Sequence, residues 1–107
     1  MSNSITVEHP SFRQWFSDCQ LMCDKYNAKQ FPNLVKNNEI PDLIISNRGR
    51  KYIKIILSNS VWAFINKENG DILKPASWKA PAKIARGNIF DEYKGMKSMS
   101  PYGPAYL

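Results

Sequence analysis

Two cysteines, one histidine and five glycines stand among the 107 residues of this chain, and each shortage excludes something. A structural zinc site needs about four ligands, which Cys19, Cys23 and His9 cannot supply. Two cysteines four residues apart on a helix share one face, where free thiols act as small buried hydrophobes rather than as a disulfide framework. With His9 alone, a nucleophile has no well-placed imidazole base. The acids are few, and no pair stands out at helical or cross-strand spacing. The phosphate-cradling G-x-x-x-x-G-K-[ST] loop, the G-x-G-x-x-G turn and the H-E-x-x-H helix are all missing. The expectation is a protein that is not an enzyme, with no catalytic residues, no cofactor and no metal. No apolar run approaches the roughly 20 residues of a membrane span, so no membrane partner is expected. The opening MSNSITVEHPSF lacks a basic start followed by an apolar stretch, and an intracellular protein is the expectation.

Acids are scarcest in one region. Residues 1–40 balance Arg13, Lys25, Lys29 and Lys36 against Glu8, Asp18, Asp24 and Glu39, so the net charge of +6 falls entirely on residues 41–107. Between Arg48 and Arg86 only Glu68 and Asp71 oppose nine basic residues. Such one-sided placement is the footprint of a polyanion binder, although a basic surface can also serve solubility alone.

What is present organises as helix, then strands. In PSFRQWFSDCQLMCDKYNAKQF, Ser11 and Gln14 form an S-x-x-Q capping box. Phe12, Trp15, Phe16, Cys19, Met22, Cys23 and Tyr26 then recur at spacings of three and four, predicting an amphipathic helix from Phe12 to Lys29. Pro32 stops it, because the residue before proline avoids helical backbone. DLIISN, KYIKIILS, VWAFINK and ILKPAS read as strands, with turns at Arg48-Gly49 and Asn69-Gly70. PAKIAR reads as a short helix, opened by Pro81 and ended by Gly87. The fold class expected is α+β: an N-terminal amphipathic helix on a three- to four-stranded antiparallel meander, then an irregular basic segment. Residues 1–94 form the domain and 95–107 an extended, flexible tail, which could dock a protein partner.

Alternation sorts the strand residues into two sets. Ile53, Ile55 and Leu57 oppose Tyr52, Lys54 and Ile56; Val61, Ala63 and Ile65 oppose Trp62 and Phe64. One coherent solution puts the aliphatic sets under the helix and leaves Tyr52, Lys54, Trp62 and Phe64 on the other face. Whether that face is open or covered by residues 71–91 stays undecided at this level.

Single-stranded nucleic acid is held by aromatic rings that stack on bases and by cations that track phosphates. The candidate phosphate contacts are Arg48, Arg50, Lys51, Lys54, Lys74, Lys79, Lys83 and Arg86, and the candidate stacking rings are Trp62 and Trp78. The competing reading makes Trp62 and Phe64 a second core layer over which lysine stems lie. The expected partner is single-stranded DNA or RNA, bound with little sequence preference; the alternative is a structural or host-interaction protein.

The run Gly70-Asp71, Lys74, ASWKAPAK (76–83) and RGNIFD (86–91), preceded by VWAFINK, resembles a pattern in small, poorly characterised bacteriophage proteins. It spans roughly residues 50–91. The resemblance implies a phage or phage-like origin and a place in the host cytoplasm, or alternatively in the virion. No activity is assigned to the proteins it resembles, so no residue role carries over.

Overall fold

The structure is a computed structural model and describes residues 5–104. Its first element, α1 (Pro10–Gln30), is the predicted helix with a different start. The N-cap is His9, whose Nδ1 accepts a hydrogen bond from the Ser11 backbone N–H at 3.1 Å. Pro10 takes the first helical position, where its missing N–H costs nothing. The expected capping box does not form: the Gln14 amide donates instead to Asp18. The stripe that faces inward is Phe12, Trp15, Cys19 and Cys23, all buried. The helix breaks at Phe31, ahead of Pro32, which opens the short α2 (Pro32–Lys36).

Five strands then form one antiparallel sheet in chain order. They are β1 (Ile44–Ser46), β2 (Tyr52–Leu57), β3 (Ser60–Asn66), β4 (Asp71–Pro75) and β5 (Pro81–Asn88). The class is α+β as expected, with one strand more. That extra strand is β5: the PAKIAR segment is extended, not helical. Its backbone pairs with β4 through Leu73↔Ala85 and Pro75↔Pro81. A partner strand one short loop away outweighs the local preference of a six-residue segment, which is too short to nucleate a stable helix by itself.

The turns follow their residues. Ser58 and Asn59, with φ of 49° and 68°, make the two-residue connection of β2 to β3, the left-handed pair that matches strand twist. Gly70, at φ 81°, closes the β3–β4 turn. The β1–β2 connection is wider than the tight turn expected at Arg48-Gly49: residues 47–51 form a five-residue loop between the strands, and Gly49 keeps out of the left-handed region.

One face of the sheet carries the core. Ile53, Ile55, Ala63, Ile65 and Ile72 pack with Phe12, Trp15, Cys19 and Cys23 of α1. Trp62 joins them, against the alternation rule. The pairing steps from Ile55↔Ala63 to Ile56↔Val61, so β3 holds one residue more than β2 at this point. Trp62 is that extra residue. A β-bulge interrupts alternation and re-aims a side chain, and here it brings the indole to 6.4 Å from Trp15, centroid to centroid.

Residues 95–104, expected as an extended arm, are folded onto the body. Strands β6 (Met99–Ser100) and β7 (Gly103–Pro104) form a small hairpin. Trp62 Nε1 donates to the Pro101 carbonyl at 3.1 Å, the Lys74 ammonium to the Pro104 carbonyl at 2.8 Å, and the Tyr26 and Tyr102 hydroxyls share a hydrogen bond. Gly95 permits the path: at φ 80°, a Cβ there would stand 2.7 Å from Trp15 Cδ1 and 2.8 Å from Ile72 Cδ1. A Pro/Gly/Ser composition suggests a loose arm, but these residues supply carbonyls and close backbone approach to a tryptophan that needs a hydrogen-bond acceptor. The last residues of the expected tail, 105–107, lie outside the described residues.

Candidate nucleic-acid interface

The face of the sheet turned away from α1 is organised as a cross-strand row. Ser46 pairs with Lys54, Lys54 with Phe64, Phe64 with Leu73 and Leu73 with Ala85. Residues in register on adjacent strands share a face about 5 Å apart, so the row crosses all five strands. Tyr52 and Ile56, two residues either side of Lys54, lie on the same face. The Tyr52 and Phe64 rings meet edge to face at 5.7 Å, as aromatic quadrupoles prefer.

This face is a groove of about 770 Å³. Its floor holds Ile44, Ile56, Tyr52 and Phe64. At one end stands the β1–β2 loop with Arg48, Arg50 and Lys51, all exposed. That loop is braced by Lys67, whose ammonium donates to the Gly49 carbonyl at 2.7 Å. The β4–β5 connection leaves the opposite end of the sheet and folds back over the face, so that Trp78 and Lys79 line the same groove. The connection is held by the Ala76 and Ser77 N–H groups, both donating to the Ala80 carbonyl, and by the Ser77 hydroxyl accepting from the Ala80 N–H.

Lys54 links floor and tip. Its ammonium stands 4.5 Å from the centroid of the Trp78 ring and 5.8 Å from that of Phe64. Trp78 remains 49% exposed while Phe64 is 1% exposed, so only Trp78 of this pair offers ring surface to a ligand. Among the described residues, no acidic side chain lines the groove. Its five cations therefore add their potentials without an opposing charge, in a concave site where such fields reinforce.

Five of the eight expected phosphate contacts are thus brought together: Arg48, Arg50, Lys51, Lys54 and Lys79. The other three are elsewhere. Lys74 is turned to the C-terminal hairpin, Lys83 is exposed on β5, and Arg86 is half-buried on β5 with contacts of its own. Of the two expected stacking rings, Trp78 lines the groove and Trp62 does not; the bulge has placed Trp62 in the core. Tyr52 is the aromatic that joins Trp78 at the surface. Ser46 and Asn47 also line the groove, and strand register was the only signal that could have found Ser46.

The cysteines lie on the other side of the sheet. Burial, with the Asp24 charge nearby, pushes the Cys23 thiol up to about 11, and burial raises Cys19 further still. Both are protonated near neutral pH and neither is an activated nucleophile. Among the described residues, no group of three or more His, Cys, Asp or Glu is placed to hold a metal ion, and no helix is long and apolar enough to cross a membrane.

Comparison with known proteins gives a family-model match. The family described as a family of unknown function (DUF7717) matches residues 9–103, from the N-cap of α1 into β7. No curated protein matches, and no solved structure matches.

Proposed function

We propose that this chain, which belongs to the DUF7717 family, binds single-stranded nucleic acid along the open face of its sheet, without strong sequence preference and without catalysis. The observation that carries this reading is the groove itself, which no acidic side chain lines among the described residues and in which Arg48, Arg50, Lys51 and Lys79 share the lining with the exposed Trp78. Cations at both ends of a shallow aromatic floor suit a flexible strand, whose bases can turn toward the protein while its phosphates reach the rims. The bases of a duplex are already stacked on one another and cannot use Trp78. The phage-like segment, residues 50–91, overlaps the groove and agrees with a role inside a host cell, on the host's or the phage's own single strands.

Titration of a labelled single-stranded oligonucleotide over a salt series tests the reading. Each phosphate neutralised on a single strand contributes about −0.7 to the slope of log affinity against log salt. Four to five cations predict a slope of about −3, and weaker binding to duplex DNA of equal length. Absence of binding at low salt overturns the proposal.

A further inference from the structure

Lys54 differs from the other cations of the groove. Arg48, Arg50, Lys51 and Lys79 are exposed at the rims, whereas Lys54 rises half-buried from the middle of the sheet. Its charge lies between two rings, 5.8 Å from Phe64 and 4.5 Å from Trp78. The Trp78 ring sits on a loop tip held by hydrogen bonds among Ala76, Ser77 and Ala80. Its side chain meets the sheet at the Lys54 ammonium. An ammonium over an indole face is among the stronger cation–π contacts, the more so when partly desolvated. Trp78 as a whole remains 49% exposed, which leaves surface for a ligand.

We infer that Lys54 is a positioning residue: it props Trp78 as a preformed stacking platform, and so makes the groove a reader of unpaired bases rather than of any polyanion. The inference rests on the reading of the groove as a single-strand site and names what that site selects. A ring already held in place loses little freedom when a base stacks on it, which is the advantage of preorganisation. The remaining cations recognise phosphate with or without bases. Lys54 contributes through Trp78, and its effect is confined to ligands that carry a base.

The test compares a labelled oligothymidylate with an abasic strand of the same length and charge, both titrated by anisotropy at low salt. The wild-type protein is expected to bind the base-bearing strand roughly 5- to 150-fold more tightly, the span of a single stacked base. Trp78→Ala removes most of that ratio. Lys54→Met keeps the stem and loses the charge; it lowers the ratio by about two- to fivefold, while Lys54→Arg, which retains a cation over the ring, preserves it. If Lys54→Met weakens both strands by the same factor and leaves the ratio intact, Lys54 is a phosphate contact and the inference fails while the binding proposal stands. If the wild-type protein binds neither strand, both fail. Far-ultraviolet circular dichroism confirms that each variant is folded, and Lys54→Arg supplies the folded control if Lys54→Met does not.

Discussion

The two faces of the sheet are made by the same strands, at times by adjacent residues, and have opposite characters. Toward α1 lie Ile53, Ile55, Ala63, Ile65 and Ile72 with Trp15 and Trp62, a dry layer in which none of the described charged side chains is buried. Away from it lie Tyr52, Lys54 and Phe64, roofed partly by Trp78 and ringed by cations. Both faces are aromatic, so residue type alone does not separate core from surface. The covering element does: a 21-residue helix on one side, a five-residue hairpin tip on the other. A helix excludes water from the layer beneath it, whereas a short tip leaves a groove.

The contrast can be broken most severely on the dry side. Trp15→Ala should cost about 3–5 kcal/mol, as aromatic truncations in cores do, read as a fall in the urea midpoint. Trp78→Ala should stay within about 0.5 kcal/mol of the parent in the same measurement; equal losses would mean that the two faces are not distinct. Next in size is Trp62→Phe, which gives up the hydrogen bond to Pro101 and part of a packed ring, about 1–2 kcal/mol. Its oligonucleotide affinity should be unchanged, so reduced binding by a fully folded Trp62→Phe would return that ring to the interface. On the wet side, Arg48→Ala with Arg50→Ala should leave stability untouched and flatten the salt slope by about 1.4, two phosphates' worth.

Titration offers another probe of the dry side. Cys23 is raised to about 11 from the ordinary 9.0, and Cys19 is raised too. The thiols favour the folded state fully below pH 9, because folding holds them protonated. That contribution is lost as pH rises from 9 through 11, where the unfolded chain releases protons that the folded chain retains. Thiol labelling at pH 8 should accordingly track global unfolding, and rapid labelling of the native protein would show that the α1 face is not sealed.

Much of this was legible in the residues. The stripe from Phe12 to Cys23 specified α1, and alternation in KYIKIILS and VWAFINK specified the central hairpin. The basic rim was visible as a charge imbalance. Trp62 was not placeable, because a bulge arises from the pairing of two strands and leaves no mark in either one alone. PAKIAR misled for a related reason: Pro81 and Gly87 punctuate a helix as well as they bound a strand, and only the neighbouring β4 decides between them. The C-terminal hairpin hid behind a composition that usually means looseness, its contacts being carbonyls, which every residue possesses. The groove itself depended on the β4–β5 tip folding back over the sheet, a long-range outcome. That is why Lys54 and Trp78, 24 positions apart in the chain, could be nominated separately but not as a pair.

The separation of the three tryptophans has an optical consequence. Trp15 and Trp62 are close enough, at 6.4 Å, for their transitions to couple, and both are shielded from solvent; Trp78 stands alone and half in water. The intrinsic emission should therefore resolve into a blue component from the coupled pair and a red component from the single ring. Acrylamide should quench the red component first, and near-ultraviolet circular dichroism should follow the pair. Each face of the sheet carries its own chromophore, so the state of the core and the occupancy of the groove can be followed in one cuvette without a label.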